Sequence, residues 1–406
     1  MMKKKSAHKK SPRKKSRARK LTIPDCRHFH GYKPCFPGTE CLDECVEPAP
    51  RGREILIINL EAMGNVLTTT SMLPALKRKY PVSTITWITL KNAHRLLENN
   101  PLIDEVLVWE PEAWLKLGAR KFDLAMNIDK AKNSCAFIMS VDAAQKVGYG
   151  LNRCGVIVPL NREAEYNYRL GLNDHMKFRV NRKANNQLLT EAMGLKFCRD
   201  EYILNLSGEE ESFCHTYRRE HVGKNGKYGG RIVVGFNTGC SQLYPNKKMT
   251  LDQHVVLINE LSADPRLRLL LLGGPEDTER NEELVRRVGD RVLSTPTTEG
   301  VRRGLCYINL CDIVVSGDSF GMHASIGLKK HMIVWFGPTC PQEIDLFDRG
   351  IKLIPEGLEC APCWKRECPY NLECIQLIDL DAFVAGVKAY ADSHYREVGQ
   401  ATGLQG

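Results

Sequence analysis

The sequence predicts an α/β protein of two Rossmann-like, doubly wound domains facing each other across a cleft. Three observations carry this reading. Ile55, Leu56, Ile57 and Ile58 form an apolar run of the kind that suits a strand buried on both faces, and a helical pattern follows it. A second start of the same kind appears at Arg231, where Ile232 to Phe236 is again apolar. The segments following the expected strand ends at Ile58, Phe236, Leu272, Val315 and Phe336 all carry glycine, and sites in such sheets form outside the carboxyl ends of the strands.

In the first domain Val66, Leu67, Thr70, Leu73, Leu76 and Lys77 lie at helical spacing, and the pattern ends at Tyr80-Pro81, where proline discourages continuation. Thr84 to Leu90 alternates apolar and β-branched residues as a strand, completing a βαβ unit. Val106 to Trp109 and Asp123 to Ile128 are further strand candidates. In the second domain helix Leu251 to Leu261, strand Leu267 to Leu272, helix Glu276 to Val288, strand Asp312 to Val315, helix Met322 to Ile326 and strand Met332 to Phe336 alternate. The expected division is 1–25 as a basic arm, 26–50 as a Cys-rich prefix, 51–222 as the first domain and 231–394 as the second, joined through the Gly-rich stretch at 223–230.

A chain of 406 residues is long enough for two domains, and its 43% hydrophobic and 26% charged content is ordinary for a globular protein. No apolar run reaches the ~18 residues needed to span a bilayer. The formal charge of +10 is concentrated in one place: Met1 to Lys20 holds eleven Lys and Arg and no acid, leaving 47 basic side chains against 48 acidic ones elsewhere. A nucleic-acid partner is therefore disfavoured. The arm lacks the apolar stretch of an export signal, which points to a cytoplasmic protein. Such a composition is either a solvated arm or an electrostatic tether that would place the protein peripherally on an anionic inner membrane face.

Eight of the sixteen cysteines fall in two groups. Cys360, Cys363, Cys368 and Cys374 give C-x2-C-x4-C-x5-C, a spacing that can present four thiolates to a structural zinc or iron. Cys26, Cys35, Cys41 and Cys45 are less regular, and metal, disulfides and free thiols all remain open for them.

The loop after the first strand, Asn59-Leu60-Glu61-Ala62-Met63-Gly64-Asn65, lacks the G-x-G-x-x-G spacing of a dinucleotide oxidoreductase. It leads into Val66-Leu67-Thr68-Thr69-Thr70. The second domain opens with Gly235-Phe236-Asn237-Thr238-Gly239 and then Pro245-Asn246-Lys247-Lys248-Met249. A fixed ammonium beside hydroxyl and backbone donors suits a leaving diphosphate. Leu272-Gly273-Gly274-Pro275-Glu276 is a glycine turn after the next strand. Later come Ser316-Gly317-Asp318-Ser319-Phe320-Gly321-Met322-His323-Ala324 and Trp335-Phe336-Gly337-Pro338-Thr339. A strand-end turn opening a helix offers N–H groups and the positive end of a dipole to phosphates.

Together these segments resemble glycosyltransferase family 9, the heptosyltransferases, over roughly Glu54 to Ala389. The resemblance implies a GT-B fold whose second domain takes an ADP-linked heptose through Thr238, Gly239, Lys247, Gly273, Gly274, Glu276, Asp318, Ser319, Gly321, Met322, His323, Gly337, Pro338 and Thr339. It also implies a lipopolysaccharide-core or other glycan acceptor on the first domain, inversion, and no catalytic divalent ion. Two departures stand out. Phe320 and Gly321 replace the family's Gly-Pro pair, and Asn65 stands where the family keeps its aspartate base. An amide cannot accept the proton. Glu61 and Asp129 are the candidate replacements. The cysteine motif, similar to an iron-binding motif of protein-directed heptosyltransferases, keeps a protein acceptor open, and Asn65 keeps open a silent sugar-nucleotide binder.

Overall fold

The computed structural model describes residues 21–36, 40–42, 45, 47–222 and 230–401, so the basic arm through Lys20 and most of the expected 223–230 linker lie outside the described residues. The chain divides at Arg51 into two compact units. In the first, the described residues form turns held by Arg27, whose guanidinium donates to the Pro50 carbonyl at 3.2 Å, and by Arg51, which donates to that of Cys26 at 3.3 Å.

The second unit, from Gly52 onward, contains two six-stranded sheets. The first has strands β1 (Arg53–Ile58), β2 (Ser83–Thr89), β3 (Glu105–Val108), β4 (Phe122–Asn127), β5 (Ala143–Leu151) and β6 (Ile157–Pro159). Their order is β3-β2-β1-β4-β5-β6, all parallel except the antiparallel β5–β6 pair. The second has β7 (Ile232–Asn237), β8 (Leu267–Leu272), β9 (Val292–Ser294), β10 (Ile313–Gly317), β11 (His331–Trp335) and β12 (Gly350–Leu353), wholly parallel in the order β12-β11-β10-β7-β8-β9. Parallel strands covered on both faces must be apolar throughout, which is why Ile55 to Ile58 and Val233 to Phe236 read as continuous runs and are fully enclosed. Each such side chain contributes roughly 1.5–3 kcal/mol on leaving water.

In both sheets the strand order reverses at one point, between β1 and β4 and between β7 and β10. A doubly wound sheet leaves its crevice at such a switch point. The expected strands are found within one or two residues of their predicted ends. The expected helix from Val66 to Lys77 is instead two, Met63–Thr70 and Leu73–Lys79. Thr68, Thr69, Thr70 and Ser71 each turn a hydroxyl back to a carbonyl three or four residues earlier, and Pro74 begins the second helix. The expected helix from Glu276 begins as a 3-10 turn, Pro275–Asp277, before the helix Thr278–Val288.

The lobes meet along helix Met63–Thr70, which packs on helix Phe320–Gly327. A Cβ added to Gly64 would lie 2.6 Å from Cδ2 of His323, so the glycine is what permits the approach. His323 stacks on Tyr202 with ring centroids 6.1 Å apart, and its Nδ1 lies 3.3 Å from the Thr68 hydroxyl. Burial pushes the His323 imidazole down to about 4, so it is neutral at pH 7. The unfolded chain takes up a proton near the ordinary value of 6.5 that the folded chain refuses until about 4, so this histidine's stabilisation is lost as pH falls through that window. His323→Gln should therefore flatten the acid limb of a stability-versus-pH curve by up to about 1.4 kcal/mol per pH unit between those values, read by denaturant melts. An unchanged slope would contradict the assignment.

Candidate active site

At the first switch point, Asp129 follows β4 and reaches back to the loop after β1. It accepts 2.7 Å from the Asn59 amide and 3.3 Å from the Glu61 N–H, with a further short bond from the Leu60 N–H. The carboxylate is 5% exposed, and burial pushes it up to about 7 despite those donors. Asp129 thus anchors the loop from within. Glu61 is exposed on the same loop. Asn65 is also exposed, in the first turn of helix Met63–Thr70, and its carbonyl accepts from the Thr69 hydroxyl at 2.8 Å. Between them Ala62 takes φ 30°, a left-handed value costly for a residue with a Cβ.

At the second switch point, Asn237 ties the ends of β7 and β10 together. Its amide donates to the Ser316 hydroxyl at 3.0 Å and the Ser319 hydroxyl at 2.9 Å, while Ser319 caps helix Phe320–Gly327 by accepting from the Met322 N–H. A Cβ on Gly321 would meet the Asn237 oxygen at 2.4 Å. This close approach gives a physical reason for Gly321 following Phe320. Met322 is fully enclosed, and His323 spends its ring on the lobe contact. Thr238 is enclosed too, its hydroxyl donating to Asn281 at 2.6 Å.

Lys247 stands above this turn with its ammonium 3.0 Å from Asp318 Oδ2, each side chain 12% exposed. Its carbonyl accepts from the Trp335 indole N–H at 2.9 Å, fixing the loop to β11. Gly239 packs against Asp277, where a Cβ would lie 2.0 Å from a carboxylate oxygen. Asp277 also accepts from the Gly274 N–H at 3.0 Å, and Lys248 lies 3.6 Å from its other oxygen. Gly273 lies against the same aspartate, whereas Glu276 is exposed at the start of the turn. Gly337, Pro338 and Thr339 are buried, and the Pro338 carbonyl accepts 2.9 Å bonds from the N–H groups of both Cys363 and Trp364.

The sequence reading missed several residues that build this site. Asn237, Asp277 and Asn281 hold loops, and Lys177, Glu343 and Trp364 reach it from distant segments. All sixteen cysteines are free thiols. Among the described residues no group of three or more His, Cys, Asp or Glu is placed to hold a metal ion. In the first, Cys26 is buried while Cys35 is exposed, and Cys26 is engaged by the Ala49 backbone. In the second, burial and then the neighbouring thiols of Cys363, Cys368 and Cys360 push Cys374 up to about 11. Four cysteines therefore share one neighbourhood, where ionised sulfurs would repel one another.

The family model of glycosyltransferase family 9 (heptosyltransferase) matches residues 112–373. The chain belongs to glycosyltransferase family 9. Its fold is that of solved GT-B members. A family 9 glycosyl transferase from Veillonella parvula superposes with a TM-score of 0.67 at 17% identity, covering 85% of this chain and 98% of that one. The ADP-heptose lipopolysaccharide heptosyltransferase II of E. coli superposes with a TM-score of 0.59 at 16% identity, covering 83% and 99%. An E. coli heptosyltransferase solved with ADP gives 0.57 at 14% identity, covering 84% and 99%. In sequence, lipooligosaccharide heptosyltransferase 2 of Campylobacter jejuni is 24% identical over 143 residues, 34% of this chain. That match spans 45% of the relative's length. No helix among the described residues is long and apolar enough to cross a membrane.

Proposed function

We propose that this family 9 chain is a glycosyltransferase that moves a heptose, or a related sugar, from an ADP-linked donor to a hydroxyl of a lipopolysaccharide-core or other glycan acceptor. The observation that carries the reading is the Lys247–Asp318 pair at the switch point of the second sheet, beside the capped start of helix Phe320–Gly327. The family relatives whose names include heptose transfer, and the one solved with ADP, support the donor class.

In this reading the acceptor O–H bond breaks as its oxygen attacks the anomeric carbon. The bond from that carbon to the diphosphate breaks, its electron pair leaves on ADP, and the developing charge is met by Lys247 and by N–H groups of the helix start. Inversion follows from a single displacement, and a lysine with helix-end donors does the work that a divalent ion does elsewhere. The proton goes to a carboxylate. Asp129 titrates near the right pH but is enclosed and engaged, so exposed Glu61 is the favoured acceptor of the two. Cys360, Cys363, Cys368 and Cys374 would hold a structural zinc or iron, soft thiolates being drawn together by a cation that cancels their repulsion. The basic arm would hold the enzyme at an anionic membrane face.

The test is ADP release from ADP-heptose, measured with candidate glycan acceptors and with a co-expressed protein acceptor. Glu61→Gln is expected to cut turnover by about 10²-fold or more while leaving ADP affinity within twofold. Donor binding with no transfer in the wild type, unchanged by Glu61→Gln or Asp129→Asn, would make the chain a silent binder and overturn the reading.

A further inference from the structure

The turn Met176–Val180 belongs to the first lobe, yet it is fastened to the second. Arg179 donates 3.2 Å to the Ala361 carbonyl and also to that of Glu359, while the Lys177 carbonyl accepts 3.3 Å from the Gln342 amide. The Lys177 ammonium then points at two donor-lobe groups. It lies 4.5 Å from the centroid of the Trp364 ring and 3.9 Å from Glu343 Oε1. The Lys247 ammonium lies 4.9 Å from the centroid of that same ring. Two cations from opposite lobes therefore share one indole.

Bringing two like charges to one ring is costly unless something holds them or an anion joins them. Trp364 does the holding. Its backbone N–H is fixed on Pro338, and Tyr244 packs edge-on to its ring at 5.5 Å, itself 5.3 Å from the Lys247 ammonium. A cation over an indole face is drawn to the negative face of the ring, which orients a flexible lysine stem. The charge balance leaves room for an anion. Lys130, Lys177 and Lys247 all act on Glu343, against the two carboxylates Glu343 and Asp318.

We propose that Lys177 is the second cation of the diphosphate site, supplied by the acceptor lobe, and that Trp364 is the positioning residue that aims Lys177 and Lys247 at one diphosphate. The proposal rests on the nucleoside-diphosphate reading above and extends it. It also gives the cysteine-rich segment a task, since that segment carries the indole between Cys363 and Cys368. The site is completed only when residues of both lobes are in place, so donor binding and lobe closure are coupled.

Titration calorimetry of the full chain with ADP and with AMP tests this, because only ADP carries the second phosphate. Lys177→Ala is expected to weaken ADP about tenfold and AMP less than twofold, with Lys177→Arg restoring most of the loss. Trp364→Ala should weaken ADP at least as much, Trp364→Phe should retain it, and the double variant should be no more than twofold weaker than the worse single one. ADP affinity within twofold of wild type in Lys177→Ala, or equal losses for ADP and AMP, would overturn the proposal while leaving the donor reading intact. A wild-type chain that binds no nucleoside diphosphate would overturn both.

Discussion

Lys247→Met should lower the rate of sugar transfer by about 10²–10³-fold, the cost of removing one preorganised charge from a site where negative charge develops. Methionine keeps the apolar stem packed beside Tyr244 and Trp364 and removes only the ammonium. The loss should fall mainly on kcat, because the leaving diphosphate gains charge during the reaction while the bound donor already carries its own. Asp318, 12% exposed and 3.0 Å from the ammonium, loses its partner in this variant. Lys247→Met/Asp318→Asn removes both charges and serves as the folding control. Steady-state ADP release checks the prediction, and a variant within tenfold of wild type would contradict the role given to Lys247.

Arg302→Met, which removes a buried charge, should cost about 3–5 kcal/mol of stability. Arg302 is 7% exposed on the donor-lobe helix Val301–Asn309. It bonds the Glu210 carboxylate through two nitrogens, the Asn205 carbonyl at 3.0 Å and the Arg95 carbonyl at 3.3 Å, all in the segment before Gly230. Burial works to raise Glu210, but the guanidinium and the Ser207 N–H hold it below its ordinary value. Glu210 also completes the capping box of helix Gly208–Tyr217, so losing Arg302 strands a carboxylate that cannot move away without uncapping that helix. A domain pair of this size should melt about 4–7 °C lower. A thermal scan showing less than 2 °C would mean the pair contributes as little as a surface ion pair.

Much of this architecture was readable because parallel strands covered on both faces leave unbroken apolar runs, as at Ile55 to Ile58 and Leu269 to Leu272. Strand β5 was not, since Ala143 to Leu151 mixes Gln, Lys and two glycines with its apolar residues near the edge of its sheet. The donor lobe's glycines were legible as turn chemistry, but the reason for each lay in a distant contact: Gly239 against Asp277, Gly64 against His323. Asp129 could be named from its place after a strand. That it points inward to anchor residues some 70 positions earlier could not. Lys177, Glu343 and Trp364 carry no local pattern, and only folding brings the 176–180 turn onto the cysteine-rich segment. The one available hint was a tryptophan between closely spaced cysteines, an apolar residue in an otherwise polar run.

If the second lobe binds an ADP-linked sugar, thermal shift of the full chain against ADP-heptose, ADP and the corresponding UDP compounds will show it. A ligand held at 100 times its Kd adds about 2.7 kcal/mol to stability. The melting temperature should rise with ADP-heptose and with ADP, stay unchanged with UDP-sugars, and lose the rise in Asp318→Ala. Stabilisation by UDP-sugars alone would contradict an ADP-linked donor.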